Sequence, residues 1–383
     1  MAASLPGVKI ALTCSGLSHV RRGVETWSQE AFIGLREQGI DVTLFQGSGP
    51  NGLPGVHVLP CIRRGSRWSE RLGRLVPPFG WRLGIGSSYQ MEQTTFALSL
   101  LREAGRRFDL LHTKDPQVAL LMQRAHRAGL SRAKVIFNHG TEEPPEFLSR
   151  FEYVQHLAPF HLDEAKRQGL GIRRQFAIPN FVDVEKFHPG SEEPMRRRLG
   201  IPRGAFVVLC VAAIKRHHKR VDWLIEEMAR AASGWPELHL VVVGARTGDT
   251  PALQQLGQER LGRRAVFLTD LPREEMPQAY RAADAFVLCS LKEMLANACL
   301  EALASGLPCL MHREPVAGWA LGDGGWTIDM TQRGGLASAL VALREAQRRQ
   351  EIGRRARQQA LRRFAKEVVL TQQLAMYREV LAA

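Results

Sequence analysis

The stretch that decides the fold is SLKEMLANACLEALASGLPCL, residues 290–310. It follows AADAFVLC, a short apolar segment whose composition predicts a buried strand. From about Leu295 the side chains are small and favour a helix, and Gly306 supplies the left-handed residue at which helices commonly end. Pro308 then opens a second apolar run, CLM. Strand, helix and strand in this order predict a parallel sheet covered by helices.

Two glutamates, Glu293 and Glu301, are separated by seven residues within this stretch. We expect Glu293 in the loop where the helix begins and Glu301 about two turns inside the helix. Eight residues of helix rise roughly 12 Å, which is about the distance between the sugar and the ribose of a nucleotide sugar. Carboxylates accept hydrogen bonds from hydroxyls, and the N–H groups at a helix start attract a diphosphate. The spacing indicates a nucleotide-sugar ligand; glutamates that only complement the helix dipole or face water are the alternative.

The whole chain repeats this alternation of strands and helices. Its 383 residues exceed what one core usually holds, so two domains are expected. One series of strands and helices begins at VKIALTC and a second at AFVVLCVAAI, on either side of the polar stretch HPGSEEPMRRRLGIPRG. We predict doubly wound, Rossmann-like domains over residues 1–190 and 191–365, facing a central cleft. A final helix over 366–383 could pack back on the N-terminal domain or on the second.

The charge of the chain admits several classes of partner. The net charge is +14 and the isoelectric point is near 10.1, values that suit nucleic acid, an anionic membrane or anionic substrates. No recognised nucleic-acid module is present, so we expect no nucleic-acid partner. Between Arg63 and Arg82 aromatic and apolar side chains alternate with six arginines: Arg63, Arg64, Arg67, Arg71, Arg74 and Arg82. This segment fits a peripheral membrane contact, and equally a solvated face beside a cleft.

The remaining composition favours a cytoplasmic protein, with the inner face of the membrane as a peripheral location. The first residues, MAASLPGVKIALTC, lack the basic and apolar regions of a signal peptide, and no apolar run is long enough to span a bilayer. The six cysteines are scattered without a C-x-x-C pair, which argues against a zinc site or a disulfide framework. Asp183 and Glu185, the nearest approach to an acidic metal pair, have no supporting ligands, so we expect neither a metal nor a cofactor.

Basic residues mark the loop IKRHHKRVD, residues 214–222. Lys215, Arg216 and Lys219 follow a predicted buried strand and precede a helix, which places them at the ligand-binding edge of a doubly wound domain. Cations at that edge can bind a diphosphate and stabilise it as a leaving group. A solvated basic turn is the alternative.

In the first half of the chain, Gly16 and Gly23 bracket the turn after the first strand. Their spacing is not G-x-G-x-x-G, so a dinucleotide fingerprint is not supported. His139, in FNHG, follows a strand and should point toward the ligand-binding edge, although a lone histidine is more often an ordinary hydrogen-bonding residue.

Three motifs give the chain a resemblance to the family 4 glycosyltransferases over nearly its whole length. EALASGLP, which follows the Glu-x7-Glu spacing, is similar to the family's EAMA-x-G-x-P. IPNFVDVEKFHP is similar to IPNGVD-x-x-x-F-x-P, and VVVGA with FLTDLPREEMPQAYRAADAFVLCSLKE resembles the family's second-domain pattern. The resemblance implies the GT-B fold and transfer of a sugar with retention of anomeric configuration, without a divalent metal. It also implies that the domain of residues 1–190 binds the acceptor and that the domain of residues 191–365 binds the nucleotide sugar.

The resemblance also implies roles for single residues. Glu293 would meet the hydroxyls of the donor sugar, Glu301 those of the ribose, and Lys219 the diphosphate. His139 would lie near the donor sugar and the leaving phosphate. The predicted donor-binding set further includes Gly23, Lys215, Arg216, Thr269, Met294, Leu295, Ala296 and Asn297.

The chain departs from the family pattern at four places. Met294, Leu295 and Ala296 stand where the family has Gly-Phe-Gly. The arginine that usually precedes the lysine falls at Ala213 or Ile214, with Lys215 or Arg216 as substitutes. Arg22 and Phe181 replace family glycines.

The sequence thus predicts an α/β protein of the GT-B fold that transfers a sugar from a nucleoside-diphosphate sugar, with UDP as the favoured nucleotide, to a hydroxyl group. The acceptor is a saccharide, a lipid-linked intermediate or a small molecule. A GT-B nucleotide-sugar epimerase and a non-catalytic sugar-nucleotide binder are the alternatives.

Overall fold

The computed structural model describes residues 5–20, 23–50, 53–73, 75–76, 80–191, 193–269 and 271–383. The chain divides into two compact units. Unit 1 comprises Met1–Pro179 and Val369–Ala383, and unit 2 comprises Asn180–Val368. The sequence predicts a boundary between residues 190 and 191, whereas the structure has it between Pro179 and Asn180.

Within the described residues, unit 1 contains a seven-stranded parallel sheet of order β3-β2-β1-β4-β5-β6-β7. Its strands are β1 Ile10–Cys14, β2 Val42–Gln46, β3 Val56–Val58, β4 Leu110–Thr113, β5 Lys134–His139, β6 Tyr153–His156 and β7 Arg174–Ala177. Its helices are α1 Gly23–Glu37, α2 Arg67–Gly73, α3 Ser88–Ala104, α4 Pro116–Arg127, α5 Pro145–Leu148 and α6 Pro159–Arg167, with a 3₁₀ turn at Gly80–Leu83.

Unit 2 repeats the same winding, with a six-stranded parallel sheet of order β10-β9-β8-β11-β12-β13 among the residues described. Its strands are β8 Phe206–Val211, β9 Leu238–Val243, β10 Ala265–Leu268, β11 Ala285–Leu288, β12 Cys309–His312 and β13 Gly325–Ile328. Its helices are α7 Glu193–Arg198, α8 Val221–Ala232, α9 Thr250–Leu261, α10 Met276–Arg281, α11 Asn297–Ala304, α12 Pro315–Leu321, α13 Gly335–Val341 and α14 Ala346–Arg363, with 3₁₀ turns at Gly262–Arg264, Arg273–Glu275 and Gly322–Gly324.

The central strands are apolar because helices cover both faces of a parallel sheet. Strands β8 and β9 read FVVLCV and LHLVVV, and all but one of their residues are buried. In each sheet the strand order reverses beside the first strand, between β1 and β4 in unit 1 and between β8 and β11 in unit 2. Such a topological switch point opens a crevice at the carboxyl ends of the two strands.

The glutamate-bearing helix differs from the sequence prediction at its start. Helix α11 begins at Asn297, and Ala296 before it is extended, with φ −73° and ψ 114°. Glu301 is therefore the fifth helical residue, about one turn from the start, and the prediction of two turns is wrong. The apolar Leu295 suggested helix, but it is a buried loop residue with 7% of its surface exposed. The predicted helix end is confirmed, since Gly306 has φ 72°.

The last helix, α15 Lys366–Ala382, passes from unit 2 into unit 1. In unit 1 the hydroxyl of Tyr377 lies 2.7 Å from Nδ1 of His112. Lys134 Nζ donates to the carbonyl oxygens of Val380 and Leu381, each at 3.0 Å. None of the described helices is long and apolar enough to cross a bilayer.

Candidate functional site

The switch point of unit 2 brings Lys219 and Glu293 together. Strands β8 and β11 are neighbours in the sheet, so the loop after β8 and the loop after β11 leave it side by side. Lys219 Nζ donates a hydrogen bond to Glu293 Oε1 across these loops. Their side chains are 18% and 12% exposed, so both reach the surface at this edge. Each residue was predicted from the sequence; their contact was not.

The loop that carries Lys219 is held in an unusual backbone conformation. His218 and Arg220, on either side of it, are left-handed, with φ 68° and φ 51°. Non-glycine residues adopt this conformation at a cost, usually where surrounding contacts enforce it. Two such contacts are the hydrogen bond from Arg220 Nη1 to the carbonyl of Met330, at 2.7 Å, and that from the Arg216 N–H to Asp249 Oδ2, at 2.9 Å. These bonds fix the point from which Lys219 projects.

Arg216 and Lys215, the two other basic residues predicted in this loop, differ from Lys219 in their exposure and contacts. The Arg216 guanidinium is about half exposed and lies 3.4 Å from Asp222 Oδ2. Lys215 is half-buried directly after Ile214.

Glu301 lies in a buried polar group of three side chains. It is 6% exposed, and its Oε1 lies 2.5 Å from Nη1 of Arg273. Its Oε2 accepts a hydrogen bond of 2.8 Å from the hydroxyl of Tyr280. Burial and the neighbouring carboxylate raise the pKa of Tyr280 well above its usual value, so this hydroxyl remains a donor. A carboxylate has about four acceptor positions, so Glu301 can still accept bonds from a ligand.

Arg273 and Tyr280 were not singled out from the sequence. Both lie in the stretch PREEMPQAYRAA, where a basic residue and a tyrosine look like ordinary members of an exposed helix. Arg273 also lies with its guanidinium 5.0 Å from the ring centre of Phe187. The IPN motif supplies a further residue that was missed, since Asn180 Nδ2 donates to Asn297 Oδ1 at 2.8 Å.

The start of α11 has no side-chain cap. Its N-cap residue is Ala296, which has no side-chain hydrogen-bond acceptor. The N–H groups of a first helical turn have no partners within the helix, and they attract anions. Met294 before it is half-buried. Thr269, also predicted in the donor-binding set, directly follows β10 and is half-buried.

The candidate residues of unit 1 occupy separate positions. His139 is the last residue of β5 and is 7% exposed. Its Nδ1 lies 3.2 Å from Nδ1 of His156, and its Nε2 lies 3.7 Å from Glu143 Oε2. Burial lowers the pKa of His156 and raises that of Glu143, so both are shifted toward their neutral forms. Gly23 is the exposed first residue of α1, and Arg22 lies outside the described residues.

The switch point of unit 1 holds a buried ionic cluster that sequence reasoning missed. Glu92, on α3, has a fully buried side chain. It accepts hydrogen bonds from the Arg64 N–H at 2.7 Å and from Arg64 Nε at 2.8 Å, and its Oε2 lies 2.7 Å from His19 Nε2. Ser15, directly after β1, donates its N–H to Asp115 Oδ2 at 2.6 Å. No motif indicates the cluster, because its members come from four separate segments.

The two carboxylates of this cluster have opposite pKa shifts. Burial opposes ionisation of Glu92, but the hydrogen bonds from Arg64 and His19 hold its pKa below the usual value. Burial raises the pKa of Asp115 to about 6, and the bonds from Ser15 offset only part of that effect. Glu92 is therefore the anion that anchors Arg64 and His19.

In the part of the chain that the structure describes, no group of three or more histidine, cysteine, aspartate and glutamate side chains is arranged to hold a metal ion.

Residues 205–346 match the family model described as Glycosyl transferases group 1. The D-inositol 3-phosphate glycosyltransferase of Geodermatophilus obscurus is 36% identical over 159 residues, which are 38% of this chain and 35% of that protein. The chain thus spans about a third of the length of the curated relatives it matches.

Solved structures match over nearly the whole chain. Sucrose-phosphate synthase from Thermosynechococcus elongatus has a TM-score of 0.78 at 18% identity, covering 98% of this chain and 99% of that one. Anabaena HepE in complex with UDP and glucose has a TM-score of 0.75 at 18% identity, covering 97% and 100%. At these identities the likeness concerns the fold.

The strand order of both units and these structural neighbours define a protein of the GT-B class with two Rossmann-like domains, which confirms the predicted fold class. Residues 205–346 are similar to the Glycosyl transferases group 1 family, and the resemblance to glycosyltransferases is confirmed.

Proposed function

We propose that this protein is a retaining glycosyltransferase that moves a sugar from a nucleoside-diphosphate sugar to a hydroxyl group. The observation that carries the proposal is the contact between Lys219 and Glu293 at the switch point of unit 2. Open α/β sheets bind ligands at that point. A lysine and a carboxylate held side by side there suit a donor whose diphosphate is next to sugar hydroxyls.

The second carboxylate supports the same ligand. Glu301 lies in α11, the helix that follows the Glu293 loop, and Arg273 and Tyr280 restrain its two oxygens. A restrained carboxylate binds a vicinal diol with less loss of conformational freedom than a mobile one. In the proposed complex Glu301 accepts hydrogen bonds from the ribose, and Glu293 accepts them from the donor sugar.

The start of α11 is proposed to hold the diphosphate together with Lys219. Its N-cap residue, Ala296, supplies no side-chain acceptor to the start of the helix. Positive charge and N–H donors at the diphosphate stabilise the charge that develops as the sugar departs. The protein then contributes positioning and electrostatic stabilisation, and the leaving phosphate takes the acceptor proton. His139 keeps its proposed role near the donor sugar, and no bound metal or cofactor takes part.

UDP is the proposed nucleotide. The Anabaena protein with the same fold was solved with UDP and glucose, which supports this choice. The acceptor is a saccharide, a lipid-linked intermediate or a small molecule. The family match favours a transferase over an epimerase or a non-catalytic binder.

We also propose a cytoplasmic location with peripheral contact at an anionic membrane through the segment from Arg63 to Arg82. The support is a group of large apolar side chains that unit 1 leaves exposed in or beside this segment: Trp68 at 68%, Leu75 at 78%, Trp81 at 60% and Leu83 at 59%. Arginines between them suit an anionic surface. Arg74 lies outside the described residues.

The donor site is tested by titrating UDP and GDP into the wild type, Lys219→Ala and Glu301→Gln. Loss of a charged hydrogen-bonding group costs about 1.5–3 kcal/mol, so each substitution should weaken UDP binding roughly tenfold or more. Isothermal titration calorimetry measures the dissociation constants directly.

Glu274→Gln and Lys166→Ala are matched controls, because both residues are exposed and lie outside the proposed site. Unchanged affinity for both nucleotides in Lys219→Ala and Glu301→Gln would remove the site assignment. Product analysis with and without an acceptor then separates transfer from epimerisation.

A further inference from the structure

Three polar side chains lie in a row across strands β5, β6 and β7 of unit 1. His139 and His156 are the last residues of β5 and β6, and they are partners in the register of the sheet. Gln175, on β7, lies two residues before Ala177, the register partner of His156. Side chains at every second position of a strand share one face of the sheet. All three side chains therefore project from the same face.

Short polar contacts connect the three side chains. His139 Nδ1 lies 3.2 Å from His156 Nδ1, and the two rings are nearly perpendicular, at 80°. His156 Nε2 lies 2.9 Å from Gln175 Oε1. An amide oxygen only accepts hydrogen bonds, so His156 carries a proton on Nε2.

The charge of His156 decides the direction of the bond between the two rings. Burial lowers the pKa of His156, and the bond to Gln175 offsets only part of that effect, so the ring is neutral and has one proton. That proton is on Nε2, which leaves Nδ1 as an acceptor. His139 is then the donor and carries its proton on Nδ1. The lone pair of a neutral His139 is at Nε2, the ring atom that lies 3.7 Å from Glu143 Oε2.

We propose that His156 and Gln175 are positioning residues that hold His139 as the tautomer with its proton on Nδ1. In this tautomer His139 Nε2 accepts a hydrogen bond from a ligand hydroxyl and cannot donate one to a phosphate oxygen. The inference rests on the proposed function for the identity of the ligand, because it takes that hydroxyl to belong to the donor sugar. His139 then contacts the sugar and not the leaving phosphate.

The test is NMR of the intact protein with nitrogen-15 in its histidines, at about pH 8, where an ordinary histidine is neutral. Two-bond proton–nitrogen correlations distinguish a protonated from an unprotonated ring nitrogen, and the spectrum of His139→Phe identifies the signals of His139. The proton of His139 should be on Nδ1.

Two other histidines are internal standards for this measurement. His239 Nδ1 lies 2.9 Å from the carbonyl oxygen of Glu237, so His239 should show the same tautomer as His139. His312 Nδ1 accepts a hydrogen bond of 3.1 Å from the Met330 N–H, so His312 should show the opposite tautomer.

Gln175→Leu removes the acceptor that fixes the proton of His156. His156 can then donate from Nδ1, and the population of His139 with its proton on Nδ1 should fall at least about twofold. Gln175 is half-buried on an edge strand, so this variant should fold. His156→Leu, which removes the partner itself, should change the population in the same direction. Gln168→Leu is the matched control, because Gln168 is exposed and donates to Glu164, and it should leave the spectrum of His139 unchanged.

Two results would overturn the positioning role. One is a proton on Nε2 of neutral His139 in the wild type. The other is a tautomer of His139 that Gln175→Leu and His156→Leu both leave unchanged.

Calorimetric titration with UDP-glucose and UDP links the tautomer to the ligand. One neutral hydrogen bond is worth about fivefold in affinity, so the affinity for UDP-glucose relative to that for UDP should fall by up to about fivefold in His156→Leu. An unchanged ratio would overturn the contact between His139 Nε2 and a sugar hydroxyl. Failure of the wild type to bind UDP would contradict the proposed function instead, while the NMR spectra of the same samples report separately on the positioning residues.

Discussion

Asp115 and Glu92 differ in pKa although both are buried carboxylic acids of one cluster. Glu92 accepts hydrogen bonds from the N–H and the guanidinium of Arg64, lies 2.7 Å from His19 Nε2, and stays ionised. Asp115 accepts bonds from uncharged donors, the Ser15 N–H at 2.6 Å and Gln93 Nε2 at 3.4 Å. Its pKa is raised to about 6 by burial, which those bonds only partly offset. The neighbouring donors, rather than burial alone, decide which carboxylate is charged.

Asp115→Asn should change the pH dependence of stability. The pKa of Asp115 is about 6 in the folded protein against an ordinary value of 3.8, so folding favours the protonated form. The stability from this group is complete below about pH 4 and is lost as the pH rises through about 6. Asparagine cannot ionise, so the free energy of unfolding of the variant relative to wild type should rise between about pH 4 and pH 7, by about 2 kcal/mol.

Urea unfolding at both pH values measures this difference, and Asp163→Asn, an exposed substitution on α6, is the control with no pH-dependent difference expected. A pH-independent difference for Asp115→Asn would show that Asp115 ionises normally in the folded protein.

The sequence singles out candidate site residues but not the contacts between side chains. Glu293, Glu301 and Lys219 stood out because charged residues after apolar strands are chemically conspicuous. Arg273 and Tyr280 did not, because only the packing of the Arg273–Glu275 turn and α10 against α11 shows that both reach Glu301.

At the scale of elements, α11 ends where the sequence indicates and begins later than predicted. A left-handed glycine is a local signal, and Gly306 has φ 72°. The helix start has no such signal, because its N-cap is Ala296 rather than a residue that caps with its side chain. The local sequence therefore indicates where this helix ends but not where it begins.

Gly306→Ala should destabilise the protein. A side chain at φ 72° is strained, and a Cβ there would lie 2.9 Å from Pro189 Cγ. We expect a loss of about 1–2 kcal/mol in the free energy of unfolding, measured by urea denaturation.

Gly318→Ala is the control for that substitution, because Gly318 lies within α12 and a Cβ there would have no neighbour within 4 Å. It should be neutral or slightly stabilising, since alanine has the higher helix propensity. Equal losses at the two positions would contradict the proposed strain at Gly306.

Two short strands, β3 and β6, were not predicted from the sequence, for a different reason. Strand β3 has three residues and β6 reads YVQH, so neither presents the apolar run that reveals a buried strand. Their positions follow from pairing, β3 with β2 and β6 with β5 and β7. These two segments are therefore strands because they form hydrogen bonds to neighbouring strands, not because of their own sequence pattern.

At the scale of the whole molecule, the net charge of +14 and the exposed apolar side chains beside α2 predict binding to anionic vesicles. The wild type should sediment with phosphatidylglycerol vesicles, less strongly as salt rises. The double substitution Trp81→Ala and Leu83→Ala should reduce binding about tenfold, because it removes two apolar side chains from the contact.

Leu98→Ala is the control for vesicle binding, since Leu98 is 61% exposed but lies on α3, outside the arginine-rich segment. An equal reduction by Leu98→Ala, or no binding to anionic vesicles at all, would contradict the membrane contact.

By itself the sequence determined the class of the fold and the edge of each sheet at which ligands should bind. Apolar strands, intervening helices and the motifs around Glu293 and Glu301 are patterns within short segments of the chain. Such patterns can be recognised without knowing which distant segments pack against them. Only the tertiary structure decided which residues meet: Lys219 with Glu293 across 74 positions, Glu92 with His19 across 73, and Tyr377 with His112 across 265. The order of strands in a parallel sheet is set by packing between distant segments, and that order places these side chains together.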